Sequence, residues 1–180
     1  MKLFIISDIH GSSIALEKVL EAYRRDDYSI ILLLGDALYH GPRNTIDHGY
    51  DTGKTIELLN SVSDKIIAVR GNCDSEVDQM VLNYSNMSDY HIVFDGTRKI
   101  FMTHGHIYSN YNMPHLNKGD IFACGHSHVA AIEEDRGVIH FNPGSISLPR
   151  ENTLPSYGIY DGKSLKVISL EGDILKSFNF

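Results

Sequence analysis

Residues 2–11 read KLFIISDIHG, and this stretch determines how the chain begins to fold. The run KLFIIS is apolar without alternation, which is typical of a strand that is buried on both faces of a sheet. The run ends at Asp8, and His10 and Gly11 follow directly after it. Residues two apart in extended backbone point to the same side, and glycine permits a sharp turn. The stretch therefore predicts a buried strand that presents a carboxylate and an imidazole side by side at its end.

The same pattern returns in two later segments. SIILLLGD (29–36) and KIIAVRGN (65–72) are apolar runs that end in a glycine and a polar residue. Apolar residues recur with a helical period in 12–25 and 55–62, and this spacing predicts a helix in each connection. Residues 37–53 carry several glycines and prolines without a period, which is typical of a long functional loop. The first half of the chain is therefore predicted to be a βαβαβ unit.

The second half is predicted to consist mostly of short antiparallel strands. A hairpin is expected around Asp95–Gly96, and three strands with turns at 161–162 and 172–173 are expected from Ser156 onwards. With the first half, this pattern predicts an α/β (α+β four-layer) fold class, in which two mixed β-sheets pack as a sandwich flanked by helices. Because no repeat or linker interrupts the pattern, a single domain over residues 1–180 is expected.

The composition excludes several classes of protein. Hydrophobic residues make up 42% of the chain and charged residues 22%, as in globular proteins. No apolar run approaches the roughly 20 residues that span a bilayer, and a strand that begins at Lys2 leaves no room for a signal peptide. The net charge of -7 argues against nucleic acid or an anionic membrane as the main partner. Cys73 and Cys124 form no paired motif, which favours a reduced, cytoplasmic setting.

Residues with oxygen or nitrogen ligands stand where the apolar runs end: Asp8, His10, Asp36, Asn72, His104, His126 and His128. Taken alone, each of these short motifs also occurs in helix caps and surface turns. Together they are better explained by one site, because the carboxyl ends of parallel strands share an edge of the sheet. Carboxylate, imidazole and amide ligands without thiolates favour Mn²⁺ or Fe²⁺, with Zn²⁺ as an alternative. The sequence therefore predicts a metal site.

The order of these motifs resembles the signature of the calcineurin-like metallophosphoesterases. That signature runs D-x-H, G-D, G-N-[HC]-[DE], H and G-H-x-H, and the chain matches it in order between residues 2 and 150. Within the family, GDALYHGPRN, GNCD and NPGSISLPR are most similar to a subgroup of bacterial phosphodiesterases. The resemblance implies the sandwich fold and the hydrolysis of a small phosphodiester by a hydroxide held between two divalent metal ions. It also implies that no side chain of the protein acts as the nucleophile.

The resemblance also implies the roles of individual residues. Asp36 would bridge the two metal ions, for which Mn²⁺ is the expected identity. The ligands of the two ions would be, in turn, Asp8, His10, Asp36 and His128, and Asp36, Asn72, His104 and His126. The residues expected to take part in catalysis are Asp36, Asn72 and Cys73.

Cys73 stands where many members of the family carry a histidine. That histidine is usually taken as the proton donor to the leaving alcohol, and a thiol with an ordinary pKa of about 8.5 cannot act as an imidazolium would. We therefore expect Cys73 to bias the enzyme toward phosphodiesters, or toward esters with good leaving groups. The alternative interpretation is that Cys73 is a passive small residue in the wall of the site.

The loop 37–53 contains the candidate substrate-binding residues. Arg43 can bind a phosphate oxygen with two hydrogen bonds, and His40 can take the place of the missing acid. The alternative is that Arg43 is solvated in a simple turn. Further candidates for the lining of the same pocket are Asp47, His48 and Asp51.

Two more assignments follow the last ligand motif. Residues 142–145, NPGS, are expected to form a turn that supports the GHSH segment at 125–128. Arg150, shortly after this turn, is a further candidate for a substrate contact.

Two other functions stay open on this sequence. A phosphomonoesterase or a protein phosphatase would use the same ligands on a monoester. A non-catalytic protein-interaction scaffold is the other, and the retromer subunit with this fold is its precedent. Such a scaffold would tolerate lost ligands, whereas all seven ligand positions are filled here. A homo-oligomer would be in keeping with the family.

Overall fold

The structure, a computed structural model, describes residues 1–46, 48–109 and 111–180. Within these ranges the α-helices are α1 (Ser13–Arg24) and α2 (Thr52–Asn60), and short 3₁₀ helices lie at Ser63–Lys65 and Glu76–Met80. The strands, in chain order, are β1 (Leu3–Ile6), β2 (Ile30–Leu33), β3 (Ile66–Ala68), β4 (Tyr90–Phe94), β5 (Lys99–Thr103), β6 (Ile121–Ala123), β7 (Ala131–Asp135), β8 (Val138–Asn142), β9 (Ser156–Tyr160), β10 (Ser164–Ser169) and β11 (Ile174–Asn179).

The first sheet has the strand order β11-β10-β9-β1-β2-β3. Its strands β1, β2 and β3 are parallel, with Leu3 opposite Ile30 and Ile31 opposite Ile66. The predicted βαβαβ unit is therefore confirmed, and the carboxyl ends of these three strands meet at one edge of the sheet. The three predicted C-terminal strands are β9, β10 and β11, and they extend this sheet through antiparallel pairs of β9 with β1, β10 with β9 and β11 with β10.

The second sheet has the strand order β4-β5-β6-β8-β7. The predicted hairpin at Asp95–Gly96 joins β4 and β5, and β7 and β8 form another antiparallel pair. At the centre of this sheet the structure differs from the antiparallel expectation, because β5, β6 and β8 are parallel. Parallel neighbours need a crossover connection instead of a tight turn, and residues 104–120 form it between β5 and β6. Strands β5 and β6 therefore also end at a common edge.

Adjacent residues of β1 enter different cores. Leu3 and Ile5 belong to the core between the two sheets, whereas Phe4 and Ile6 belong to the core between the first sheet and the helices. A strand that is buried on both faces needs no polar alternation, which explains the run KLFIIS. The predicted sandwich of two mixed sheets with flanking helices is confirmed.

Both α-helices cover the first sheet, and loop residues cover part of the outer face of the second sheet, where Ile92 and Phe94 of β4 remain exposed. Phe122 of β6 is fully buried in a cluster with Tyr108, Met113 and Leu116 of the crossover connection. In this chain a loop thus provides the layer outside the second sheet. No helix in the described part of the chain is long and apolar enough to cross a membrane.

Helix α2 begins earlier than the predicted range of 55–62. Asp51 is its N-cap, and the Asp51 carboxylate accepts a hydrogen bond from the backbone N–H of Lys54 at 2.9 Å. A capping carboxylate satisfies one of the free N–H groups of the first helical turn. Asp51 was a candidate for the lining of the pocket, and the structure gives it this structural contact instead.

Candidate metal centre

The predicted ligands lie at the ends of strands from both sheets, and the sandwich brings them together. Asp8, His10 and His128 each offer a ligand atom, and these atoms lie within 4.8 Å of one another. The same holds for Asp8, Asp36 and His104. These residues follow β1, β2, β5 and β6, so each sheet contributes to the same group of side chains.

Several of these residues have a left-handed backbone. The φ angles are positive at Asp8 (54°), His10 (48°), Asp36 (56°), His126 (66°) and His128 (60°). Residues other than glycine adopt this backbone region at a cost of about 1–3 kcal/mol each, and residues strained in this way cluster at functional sites. The chain therefore accepts backbone strain at the ends of three strands in order to direct these side chains toward one point.

Three histidines are held by backbone carbonyl groups. The Nδ1 atoms of His10, His104 and His128 lie 2.7, 2.6 and 2.6 Å from the carbonyl oxygens of Tyr39, Leu34 and Leu148, respectively. A carbonyl oxygen only accepts, so each Nδ1 carries the proton and donates it. In a neutral imidazole the Nε2 atom then has a free lone pair, which is the usual arrangement of a metal-binding histidine.

These Nε2 lone pairs face one another and face carboxylate oxygens. The Nε2 atoms of His10 and His128 are 3.2 Å apart, and the Nε2 atom of His128 lies 3.3 Å from Oδ1 of Asp8. Among the described residues, the buried Oδ1 atom of Asp8 has no hydrogen-bond partner. Buried acceptors without a donor are costly unless a cation satisfies them. The residues therefore fit a divalent metal ion at this position.

The second group of ligands surrounds His104. Its Nε2 atom lies 3.0 Å from Oδ1 of Asn72 and 3.4 Å from Oδ2 of Asp36. Burial alone lowers the pKa of His104, but the contact with Asp36 and the charges of Asp8 and Asp36 outweigh it and raise this pKa to about 9. The pKa of the Asp36 carboxyl is lowered despite burial, chiefly because of His104. This position therefore attracts positive charge strongly.

Asp74 connects the two turns that carry Asp36 and Asn72. Its carboxylate accepts hydrogen bonds from the backbone N–H groups of Asp36 (2.9 Å), Ala37 (2.9 Å) and Gly71 (2.7 Å). Burial and the Asp36 charge raise the pKa of Asp74 to about 6 against these hydrogen bonds. The sequence motif G-N-C-D contains Asp74, but nothing in the sequence showed that it reaches back to the turn after β2.

Serine side chains hold the turn after β1. The hydroxyl groups of Ser145 and Ser147 donate to the backbone carbonyl of Asp8 at 2.7 and 3.2 Å. Asn142 donates from Nδ2 to the carbonyl of Gly125 at 2.8 Å. The expected support of the GHSH segment by the NPGS turn is therefore present at Asn142, whereas the contacts of the serines with the β1 turn were not predicted.

A cavity of about 700 Å³ opens above these residues. The predicted site residues that line it are His10, Asp36, Arg43, Asn72, Cys73, His126 and His128. Asp8 and His104 are fully buried and do not line the cavity. Arg150 does line it, as the sequence suggested.

His40 does not line this cavity, although the sequence made it a substrate-binding candidate. Its ring packs edge-on against the rings of Tyr39 and Tyr50, at centroid distances of 4.6 and 5.4 Å. His48 is not among the lining residues either, and Asp47 lies outside the described residues. The cavity is therefore lined by Arg43 and not by His40, and the assignment of His40 as a substitute for the missing acid stays a prediction.

Cys73 lies beside Asp36 in the structure. Its backbone N–H donates to Oδ1 of Asp36 at 2.8 Å. Burial, together with the nearby charge of Asp36, raises the pKa of the Cys73 thiol to about 12. The thiol is therefore protonated at neutral pH and is too weak an acid to act as an imidazolium would.

Comparison with known proteins agrees with this geometry. Residues 1–164 match the calcineurin-like phosphoesterase superfamily domain. The chain is 45% identical to phosphodiesterase YfcE of Escherichia coli strain K12 over 170 residues, which cover 94% of this chain and 92% of that protein. It is also 29% identical over 167 residues to a probable metallophosphoesterase, YsnB of Bacillus subtilis, covering 88% of this chain and 83% of that protein.

Solved structures show the same relationship. The E. coli phosphoesterase YfcE superposes with a TM-score of 0.97 at 43% identity, covering 99% of both chains. Vacuolar protein sorting 29 of Cryptosporidium parvum has a TM-score of 0.67 at 20% identity, covering 99% of this chain and 98% of that one, which shows a shared fold only. From the site geometry, the match over residues 1–164 and the YfcE relationship, we conclude that the chain belongs to the calcineurin-like phosphoesterase superfamily.

Proposed function

We propose that the chain is a metal-dependent phosphodiesterase that hydrolyses a small phosphodiester. The observation that carries this proposal is the convergence of histidine Nε2 lone pairs on the unpartnered, buried Oδ1 atom of Asp8, where His10 and His128 also line an open cavity. The relative with 45% identity is named a phosphodiesterase, which favours a diester substrate.

The proposed metal ligands form two sets that share Asp36. The first set is Asp8, His10, Asp36 and His128, and the second is Asp36, Asn72, His104 and His126. We propose Mn²⁺ for both positions, because the donors are oxygen and imidazole nitrogen and Mn²⁺ accepts both. Fe²⁺ and Zn²⁺ suit the same donors.

Bound divalent ions would polarise a phosphoryl oxygen and lower the pKa of a water molecule, which makes a nucleophile available near neutral pH. The residues of the chain hold and orient the ligands: carbonyl groups fix the histidine rings, and Asp74 fixes the turns after β2 and β3. Arg43 and Arg150 face the cavity and can bind substrate oxygens. Since Cys73 is not acidic enough to protonate an alkoxide efficiently, the proposed substrates are diesters or esters with good leaving groups.

The setting of the proposed enzyme is cytoplasmic, and its substrate is a small molecule and not nucleic acid or a membrane. The net charge of -7 supports this, and so do the free thiols of Cys73 and Cys124. A homo-oligomer is part of the same proposal.

A paired assay tests this function. The protein is stripped with a chelator, Mn²⁺ is added back, and the hydrolysis of bis-p-nitrophenyl phosphate is compared with that of p-nitrophenyl phosphate. We expect cleavage of the diester that requires Mn²⁺ and is lost in Asp36→Asn. A preference for the monoester would identify a phosphomonoesterase, and stoichiometric Mn²⁺ binding without cleavage of either ester would identify a scaffold.

A further inference from the structure

We propose that Arg43 and Arg150 form a second anion subsite, so that the substrate is a phosphodiester with a further anionic group such as a phosphate or a carboxylate. This inference rests on the proposed phosphodiesterase function. Among the described residues that line the cavity, these two arginines are the only side chains with a permanent positive charge. They lie on different loops, one before α2 and the other after β8.

The guanidinium of Arg150 is held in position. Its Nη2 atom donates to Oδ1 of Asn44 at 3.0 Å, and Nδ2 of Asn44 donates in turn to the backbone carbonyl of His40 at 2.7 Å. The backbone N–H of Arg150 donates to the carbonyl of His128, a candidate metal ligand, at 3.2 Å. Asn44 therefore joins the two loops across the cavity. A guanidinium that is already fixed loses little conformational entropy when it binds an anion.

The charge of both arginines is available for a ligand. In the described part of the chain, neither Arg43 nor Arg150 lies within 4.0 Å of a carboxylate oxygen, although Glu151 lines the same cavity. Asp74 also lines it, but its carboxylate is bound by three backbone N–H groups. Two unpaired arginines in one cavity are notable in a chain with a net charge of -7.

A guanidinium binds an anionic group such as a phosphate or a carboxylate through two parallel hydrogen bonds. Arg43 and Arg150 line the cavity without a carboxylate partner among the described residues, so their guanidinium groups provide donors for one more anionic group on the substrate beside the phosphodiester.

A matched pair of synthetic esters tests this inference. Propyl p-nitrophenyl phosphate and 3-phosphonopropyl p-nitrophenyl phosphate release the same leaving group and differ only in a terminal phosphonate. With the Mn²⁺-loaded full chain, we expect kcat/KM to be about tenfold higher for the phosphonate ester, mainly through a lower KM, because the arginines bind the phosphonate. A tenfold preference corresponds to about 1.4 kcal/mol of binding free energy. This preference should shrink as salt is added.

Variants locate the preference in the molecule. We expect Arg43→Gln and Arg150→Gln each to reduce the ratio of the two kcat/KM values about tenfold or to unity, and Asn44→Ala to reduce it less, since it only releases Arg150. The exposed Arg136 lies outside the cavity, so Arg136→Gln is the matched control and should keep the wild-type ratio. Bound Mn²⁺, measured for every variant, should stay at the wild-type amount.

The outcomes separate this inference from the proposed function. Cleavage of both esters by the wild type with equal kcat/KM would overturn the subsite and leave the phosphodiesterase function in place. Preference for a third ester with a 3-trimethylammoniopropyl group would also overturn it and assign the specificity to Glu151. Failure of the wild type to cleave any of the esters would overturn the phosphodiesterase function itself.

Discussion

Asp74 shows how a single carboxylate can determine the geometry of a site without being one of the proposed metal ligands. Its carboxylate accepts hydrogen bonds from three backbone N–H groups in the turns that carry Asp36 and Asn72. These turns follow different strands, so a fixed distance between the two proposed ligands depends on this contact. Outer groups of this kind usually affect metal affinity by about 10- to 100-fold.

Replacement of Asp74 by asparagine should therefore weaken Mn²⁺ binding. In Asp74→Asn an NH₂ group replaces one of the accepting oxygens, and this donor cannot accept the hydrogen bond of the backbone N–H that it faces. We therefore expect the dissociation constant for Mn²⁺ to rise by about 10- to 100-fold. Calorimetric titration of the metal-free protein measures it. Asp161 also accepts backbone N–H groups in a turn, from Lys163 and Ser164. Asp161→Asn should leave Mn²⁺ affinity unchanged, and an equal loss in both variants would contradict the role of Asp74.

Cys73 is the residue at which this chain departs from the more common family pattern. Burial raises the pKa of its thiol to about 12, whereas an imidazole in the same place would exchange protons near neutral pH. We therefore expect Cys73→His to increase the hydrolysis of phenyl phosphate relative to p-nitrophenyl phosphate by about tenfold or more, because only the poorer leaving group gains from a proton donor. Cys73→Ser, which supplies no imidazole, is the control. An unchanged ratio in Cys73→His would support the interpretation of Cys73 as a passive wall residue.

At the scale of secondary-structure elements, the close approach of the turns after β1 and β6 determines the shape of the site. A Cβ atom on Gly125 would lie 1.9 Å from Oγ of Ser7 and 2.6 Å from Oδ2 of Asp8. The backbone of one turn thus lies against the side chains of the other. Glycine is required here by the small space and not by a positive φ angle, since Gly125 has none.

Gly125→Ala should accordingly disturb both stability and the site. We expect a loss of about 1–3 kcal/mol in the free energy of unfolding, as for other overpacked positions, and a protein that binds less Mn²⁺. Gly162→Ala is the comparison, because Gly162 has a φ angle of 84° but a Cβ atom added to it would meet no other atom within 4 Å. That variant should lose about 1 kcal/mol through backbone strain alone and should bind Mn²⁺ normally. Normal Mn²⁺ binding by Gly125→Ala would contradict this, because the turns after β1 and β6 could then move apart without affecting the site.

The parallel centre of the second sheet is the element-level feature that sequence patterns did not reveal. Short apolar runs such as IFA in β6 carry no information about the direction of their neighbours. The direction follows from the crossover over 104–120, whose aromatic and aliphatic residues cover the sheet. Because a parallel arrangement brings the ends of β5 and β6 to one edge, this connection is also what brings His104 close to the GHSH segment.

At the scale of the whole molecule, the proposed metal ions should bind only the folded state. The ligands follow five strands in two sheets, so the unfolded chain cannot present them together. A ligand at 100 times its dissociation constant stabilises the folded state by about 2.7 kcal/mol. We expect the midpoint of thermal unfolding to rise with Mn²⁺ concentration, and to rise much less in Asp36→Asn. Differential scanning calorimetry measures this midpoint, and Mg²⁺ serves as a second cation for comparison. Equal shifts of the midpoint with Mn²⁺ in the wild type and in Asp36→Asn would contradict the proposed site.

The family and the sandwich fold are confirmed by the comparisons, while two other expectations about the molecule stay predictions. These are the single domain over residues 1–180 and the homo-oligomer. The metal ligands, too, are proposals that rest on geometry. They are nevertheless specific, because the structure brings residues from distant parts of the sequence to within a few ångströms of one another.

The sequence by itself determined the strands, the helices and the identity of the candidate ligands. Apolar runs that end in Asp8, Asp36 and Asn72 could be recognised because strand burial and turn chemistry are local properties. Only the tertiary structure decided which nitrogen of His10, His104 and His128 faces the centre, that Asp74 holds two turns together, and that the ring of His40 packs against Tyr50. The physical reason is that these features depend on contacts between residues far apart in the chain, and a local pattern contains no record of such contacts.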